Sequence, residues 1–202
     1  MRYLKKLIYL LLFLYTTVAN AQVADLNNKS KQLKSLFDKG FVHKRNDSLT
    51  YQKLFFNKFP ANFSSLDALF GYDDKKGAAP LYHEANGYID KLFITRAIGV
   101  KEKAGKFIGI AINGEWDADA ITYFQHNLQE FTVNNFTTFL KELNKLKSRE
   151  KIESVWKFCF DVESSGYRKR YYETLHDKLG QNQEMIDILY SAYKQATSEQ
   201  IN

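Results

Sequence analysis

Apolar side chains recur at three- and four-residue spacing along nearly the whole chain, and only two prolines, Pro60 and Pro80, interrupt its 202 residues. That spacing lines one face of an α-helix, and proline is the residue that most strongly ends one. Leu26, Leu33, Leu36 and Phe37 form a first stripe that ends near Gly40. Tyr51, Leu54 and Phe55 form a second, started by Asp47 or Ser48 and ended by Phe59-Pro60. A Ser64-x-x-Asp67 capping box precedes Leu66, Leu69 and Phe70. "YDDKKGAA", 72–79, reads as a polar loop, and Pro80 suits the first turn of a long helix carrying Ala85, Ile89, Leu92 and Phe93. Ala120 to Leu128, Phe136 to Leu143, Ile152 to Cys159, Tyr171 to Leu179 and Met185 to Ala192 continue the pattern, with Ser148 as a cap and Gly180 as a stop. The expected fold is all-α: one compact domain of roughly eight to ten helices.

The stretch "KFIGIAING" fits two patterns. Ala104, Phe107, Ile108 and Ala111 are spaced for a helix, whereas Ile108, Ile110 and Ile112 before Asn113-Gly114 alternate as in a hairpin strand. Helix is the favoured reading, because no matching strand follows.

The first 21 residues have another character. Arg2, Lys5 and Lys6 precede an apolar run from Leu7 to Tyr15, and Ala19-Asn20-Ala21 supplies a small-x-small cleavage site. This is the pattern of a secretory signal peptide, with cleavage expected after Ala21 and a helical domain over 22–202. The apolar run is too short for a membrane anchor, which needs about 20 residues. The chain's net charge is +6, and three of those charges belong to the leader, so +3 remains. That excess is too weak to argue for nucleic acid or anionic lipid. The single cysteine, Cys159, excludes an intramolecular disulfide, so the domain must be held by its core, and aromatic residues at 15% can build one.

Candidate chemistry concentrates in "GEWDADA", 114–120, where Glu115, Asp117 and Asp119 alternate beside Trp116. An EF-hand loop needs glycine at its sixth position and glutamate at its twelfth. Counted from Glu115, these are Ala120 and His126, so the calcium reading fails. The acids fit a helix start better, where free amides and the helix dipole favour negative charge, with Trp116 folded back onto the new helix. No two of His43, His83, His126 and His176 stand at metal spacing, and no metal or cofactor is expected. No G-x-S-x-G elbow occurs, and Cys159 in "WKFCF" reads as a buried, inert thiol. Glu115 with Asp119 is the one carboxylate pair that a cell-wall hydrolase would use. "YRKRYYE", 167–173, reads as an amphipathic helix with tyrosines on one face and charges on the other.

Four stretches, "FFNKFPANFSSLDALFGYD" (55–73), "APLYHEANGYIDKLF" (79–93), "INGEWDADAITYFQ" (112–125) and "IESVWKFCFD" (152–161), resemble in order and spacing small exported proteins of Bacteroidota. Some of those look like immunity proteins encoded beside toxins of type VI or related contact-dependent secretion systems. The resemblance implies a periplasmic, non-enzymatic protein that neutralises a cognate toxin effector. Asp47-Ser48-Leu49 matches the short motif that this lineage O-glycosylates at Ser48. A partner surface is expected where the 72–77 loop meets the 114–119 turn: Tyr72, Asp73, Asp74, Glu115, Trp116, Asp117 and Asp119. An aromatic anchor rimmed by acids suits a desolvated contact with a basic cleft. The alternatives are the hydrolase above and a carrier of an apolar ligand among the phenylalanines.

Overall fold

The computed structural model of the protein describes residues 24–43, 46–116, 120–161 and 165–198. The expected leader, Asp117 and Asp119 lie outside the described residues. Ten α-helices account for most of what is described, as the periodicity predicts. Helix α1 covers 24–37 and widens into a π-turn, Asp38–Val42, with Gly40 buried. Helix α2, Ser48–Lys58, stops at Phe59. Phe59 has ψ 146°, the extended backbone that a following proline imposes.

Three boundaries differ from the sequence reading. Helix α3, Phe63–Phe70, is capped by Asn62, whose side chain accepts the Ser65 N–H at 3.0 Å. Ser64 already lies inside that helix, and a cap must sit in non-helical backbone, as Asn62 does at φ −148° and ψ 163°. The polar loop contains a small antiparallel hairpin, β1 (Tyr72–Asp73) against β2 (Gly77–Ala78), with Tyr72 opposite Ala78 and Asp73 opposite Gly77. Pro80 does not open the next helix: a 3-10 turn, Tyr82–Glu84, intervenes before α4, Ala85–Ile94.

Helix α5, Val100–Ala111, takes up the ambiguous "KFIGIA". Phe107, Ile108, Ile110 and Ala111 are all buried there. A helix covered on several sides carries apolar residues off its stripe, which is why both periods showed in one segment. Helices α6 (Ala120–Asn134), α7 (Phe136–Leu143), α8 (Arg149–Phe160), α9 (Ser165–Leu179) and α10 (Gln183–Ser198) follow. Ser148 caps α8 through the Lys151 N–H, as expected, and Gly180 takes the left-handed φ of 61° just past α9.

Helix α5 packs on α7 and α8, α4 on α6, and α8 on α6 and α10. The interfaces are aromatic. Phe93 stacks on Phe107 at 4.0 Å, and Phe107 meets Phe124 and Phe131 edge-on. Phe124 leads to Phe158, and Phe158 to Phe63. Phe37 stacks on Tyr88 at 4.2 Å near the N-terminal end, and Phe160 lies among Tyr171, Tyr172 and Tyr193 near the other.

Shielded cations fasten helix ends inside this packing. The last carbonyls of a helix have no partner within it and carry its negative pole. Lys103 donates to Phe93 O at 2.6 Å at the end of α4, and Lys106 to Phe59 O at 2.8 Å at the end of α2. Arg168, 2% exposed, donates Nε to Phe160 O and an η nitrogen to Ala196 O, so it grips the ends of α8 and α10 together. Two glutamines of α6 complete the α8 terminus: Gln125 donates to Phe158 O and Asp161 O, and Gln129 to Cys159 O.

Candidate interaction surface

The hairpin projects from the C-terminal end of α3. Ala79 N–H donates to Gly71 O and Leu81 N–H to Leu69 O, which ties its base to the helix. At its tip one oxygen of Asp73 accepts the N–H groups of Lys75 and Lys76, both at 2.9 Å. Those amides, with the Lys76 ammonium 3.4 Å from the other oxygen, hold the Asp73 carboxyl below its ordinary value. Asp73 is therefore occupied in shaping the turn, while Asp74 is exposed at its tip. Tyr72 is 49% exposed and leans on Tyr82, with ring centres 5.7 Å apart.

The second segment follows α5. Asn113 adopts φ 54° and its N–H donates to Ser154 Oγ on α8. Gly114 passes so close to α8 that a β-carbon there would sit 2.6 Å from the Phe158 ring. The Trp116 N–H donates to Asp161 Oδ2, and its indole N–H to Thr122 Oγ1 on α6. The tryptophan thus folds back onto α6, as expected, and stays 44% exposed. Its position depends on the α8 terminus, which Gln125, Gln129 and Arg168 fasten. Glu115 is exposed at the mouth of a cleft of about 390 Å³, where Glu150, Glu153 and Lys157 of α8 also lie. Glu153 is engaged there, accepting hydrogen bonds from Ser191 and Gln195 of α10.

The two segments stand at opposite ends of α3. The hairpin leaves its C-terminal end, and Phe63 at its N-terminal end packs on the same Phe158 that underlies Gly114. A helix of this length spans about 12 Å, so Tyr72 and Trp116 form separate anchor points.

Sequence reasoning missed the polar groups that set this geometry. The sequence pattern groups Arg168 with the exposed charges of its helix, whereas the structure buries it. Its spacing from Tyr171 and Leu175, which share the buried face of α9, was the available sign. Cys159 is buried as expected, and burial pushes its thiol up to about 12. Among the described residues no cluster of three His, Cys, Asp or Glu side chains is arranged for a metal ion. No helix among them is long and apolar enough to cross a membrane. No protein-family model, curated protein or solved structure matches the chain.

Proposed function

We propose that this is an exported, non-catalytic binding protein that neutralises a toxin delivered into the periplasm by neighbouring cells. The observation that carries this reading is the pair of aromatic anchors, Tyr72 and Trp116, each about half exposed and each on a hydrogen-bonded turn beside an exposed acid, Asp74 or Glu115. A side chain already held in one geometry loses little entropy on binding. Aromatic anchors of this kind carry a large share of binding energy, and rim carboxylates steer a basic partner. The leader pattern supports export, and the resemblance noted above supports the class of partner.

The experiment is a competition between attacking cells and recipients with or without this gene. Recipients lacking it should die in the presence of one toxin-bearing relative and recover when it is restored. Equal survival against every attacker tested removes the reading. With the toxin in hand, Trp116→Ala should weaken binding by about 2 kcal/mol or more. Asp74→Lys with Glu115→Lys should slow association while the circular dichroism spectrum stays unchanged. Mass spectrometry of the periplasmic protein should find its first residue at Gln22. A zymogram that clears peptidoglycan, and fails to do so with Glu115→Gln, would instead make it a hydrolase.

A further inference from the structure

A cleft of about 450 Å³ opens between α6 and α9, lined by His126, Gln129, Glu130, Val133, Asn134 and Tyr167. Its floor is chemically unfinished. Gln129 is 1% exposed; its Nε2 donates to Cys159 O at 2.6 Å, while its buried Oε1 has no hydrogen-bond partner among the described residues. The carbonyl opposite Nε2 fixes which way the amide points, so the orphan atom is an acceptor. Buried acceptors in folded proteins are nearly always satisfied, and an exception calls for a donor. Glu130 stands exposed at the rim and makes no ion pair among the described residues. Among the described residues no lysine or arginine lines the cleft, and the Tyr167 ring, 40% exposed, forms a wall.

We propose that this cleft receives a guanidinium, the head of an arginine side chain on the protein partner; the partner itself rests on the function proposed above. A guanidinium is flat, permanently charged and carries five donors and no acceptor. Its charge suits the Glu130 carboxylate, its plane the Tyr167 ring, and its donors the Gln129 oxygen. An anion would meet Glu130 as a like charge, and a neutral polyol would leave that charge unused. The cleft also lies along the same helix, α6, on which the Trp116 indole is held. Thr122, which holds the indole, is followed at four-residue intervals by His126, Glu130 and Asn134 on α6. Eight residues from Thr122 to Glu130 amount to about 12 Å along the helix. One partner surface therefore reaches both.

The test titrates the isotope-labelled full-length protein with acetyl-Gly-Arg-Gly-amide, followed by nuclear magnetic resonance. The citrulline peptide, neutral and nearly the same shape, is the control. The arginine peptide should give saturable shifts at the Gln129 side-chain amide, Glu130 and Tyr167, with millimolar affinity. The citrulline peptide should bind about tenfold more weakly. Glu130→Gln, an exposed substitution that circular dichroism should show folded, should erase the difference between the peptides. No saturable shift, equal response to both peptides, or an unchanged preference in Glu130→Gln overturns the proposal. This assay contains no toxin, so its success does not depend on the immunity reading. Conversely, toxin binding that survives Glu130→Gln discards the cleft and leaves that reading in place.

Discussion

Arg168 shows how much one side chain settles. It sits in the first half of α9 and donates to carbonyls at the ends of two other helices. Arg168→Met fills similar space but strips both carbonyls of their donor, and should cost about 3 kcal/mol in urea unfolding. Arg168→Lys should recover only part of that, because an ammonium lacks the fork that spans two acceptors. Lys106 allows a pH test. Burial draws its ammonium down from the ordinary 10.5 to about 8, despite Glu102 nearby. Between those values the unfolded chain holds more protons than the folded one. Stability from this group therefore rises with pH across that window, and the gain is lost as pH falls through about 8. Denaturation midpoints measured from about pH 8 to 10 should climb less steeply in Lys106→Met than in the natural chain. Parallel profiles would show that the charge is not stressed.

Two element boundaries invite substitution. Asn62→Ala removes the α3 cap and should cost about 1 kcal/mol, while Ser64→Ala, in the box suggested by spacing, should cost little. Gly114→Ala drives a methyl into the Phe158 ring, so it should cost about 1–3 kcal/mol and loosen Trp116, visible as a shift in tryptophan emission. The helices themselves were legible because each buries one stripe, and burial imposes the period. Phe55, Ile89, Phe124, Leu143, Val155 and Leu189 all lie in the core where their spacing put them. The cap of α3 was ambiguous because Asn62 and Ser64 are both capping types, and only backbone angles separate them. The hairpin was hidden because strands of two residues have no period to read. The candidate surface was half legible. Composition marks Tyr72, Asp74, Glu115 and Trp116 as solvent-facing beside a turn, but whether an acid points outward or, like Asp73, into its own turn depends on amide directions that follow from folding.

The buried apolar residues form one cluster that runs from Leu33 to Ala196 without a break between halves. A single core should unfold in one cooperative step. The two tryptophans make this testable: Trp156 is 0% exposed and Trp116 is not buried. In Trp116→Phe the remaining emission reports Trp156 alone. Its urea transition should overlay the loss of far-ultraviolet ellipticity. Two separated transitions would mean that the α9–α10 end melts independently of the Phe93–Phe107 centre. The same unity bears on binding, because Tyr72 and Trp116 are set on one scaffold and their spacing should not vary between free and bound forms.

Cys159 gives the molecule a built-in clock. It is the only thiol in the chain, it lies inside α8, and burial leaves it un-ionised at any physiological pH. An alkylating reagent such as iodoacetamide therefore has nothing to attack until the core opens, and each modified molecule records one opening. The rate can be followed in crude cell fractions by mass, without purification. Variants can then be ranked by how often they open in the compartment where they work.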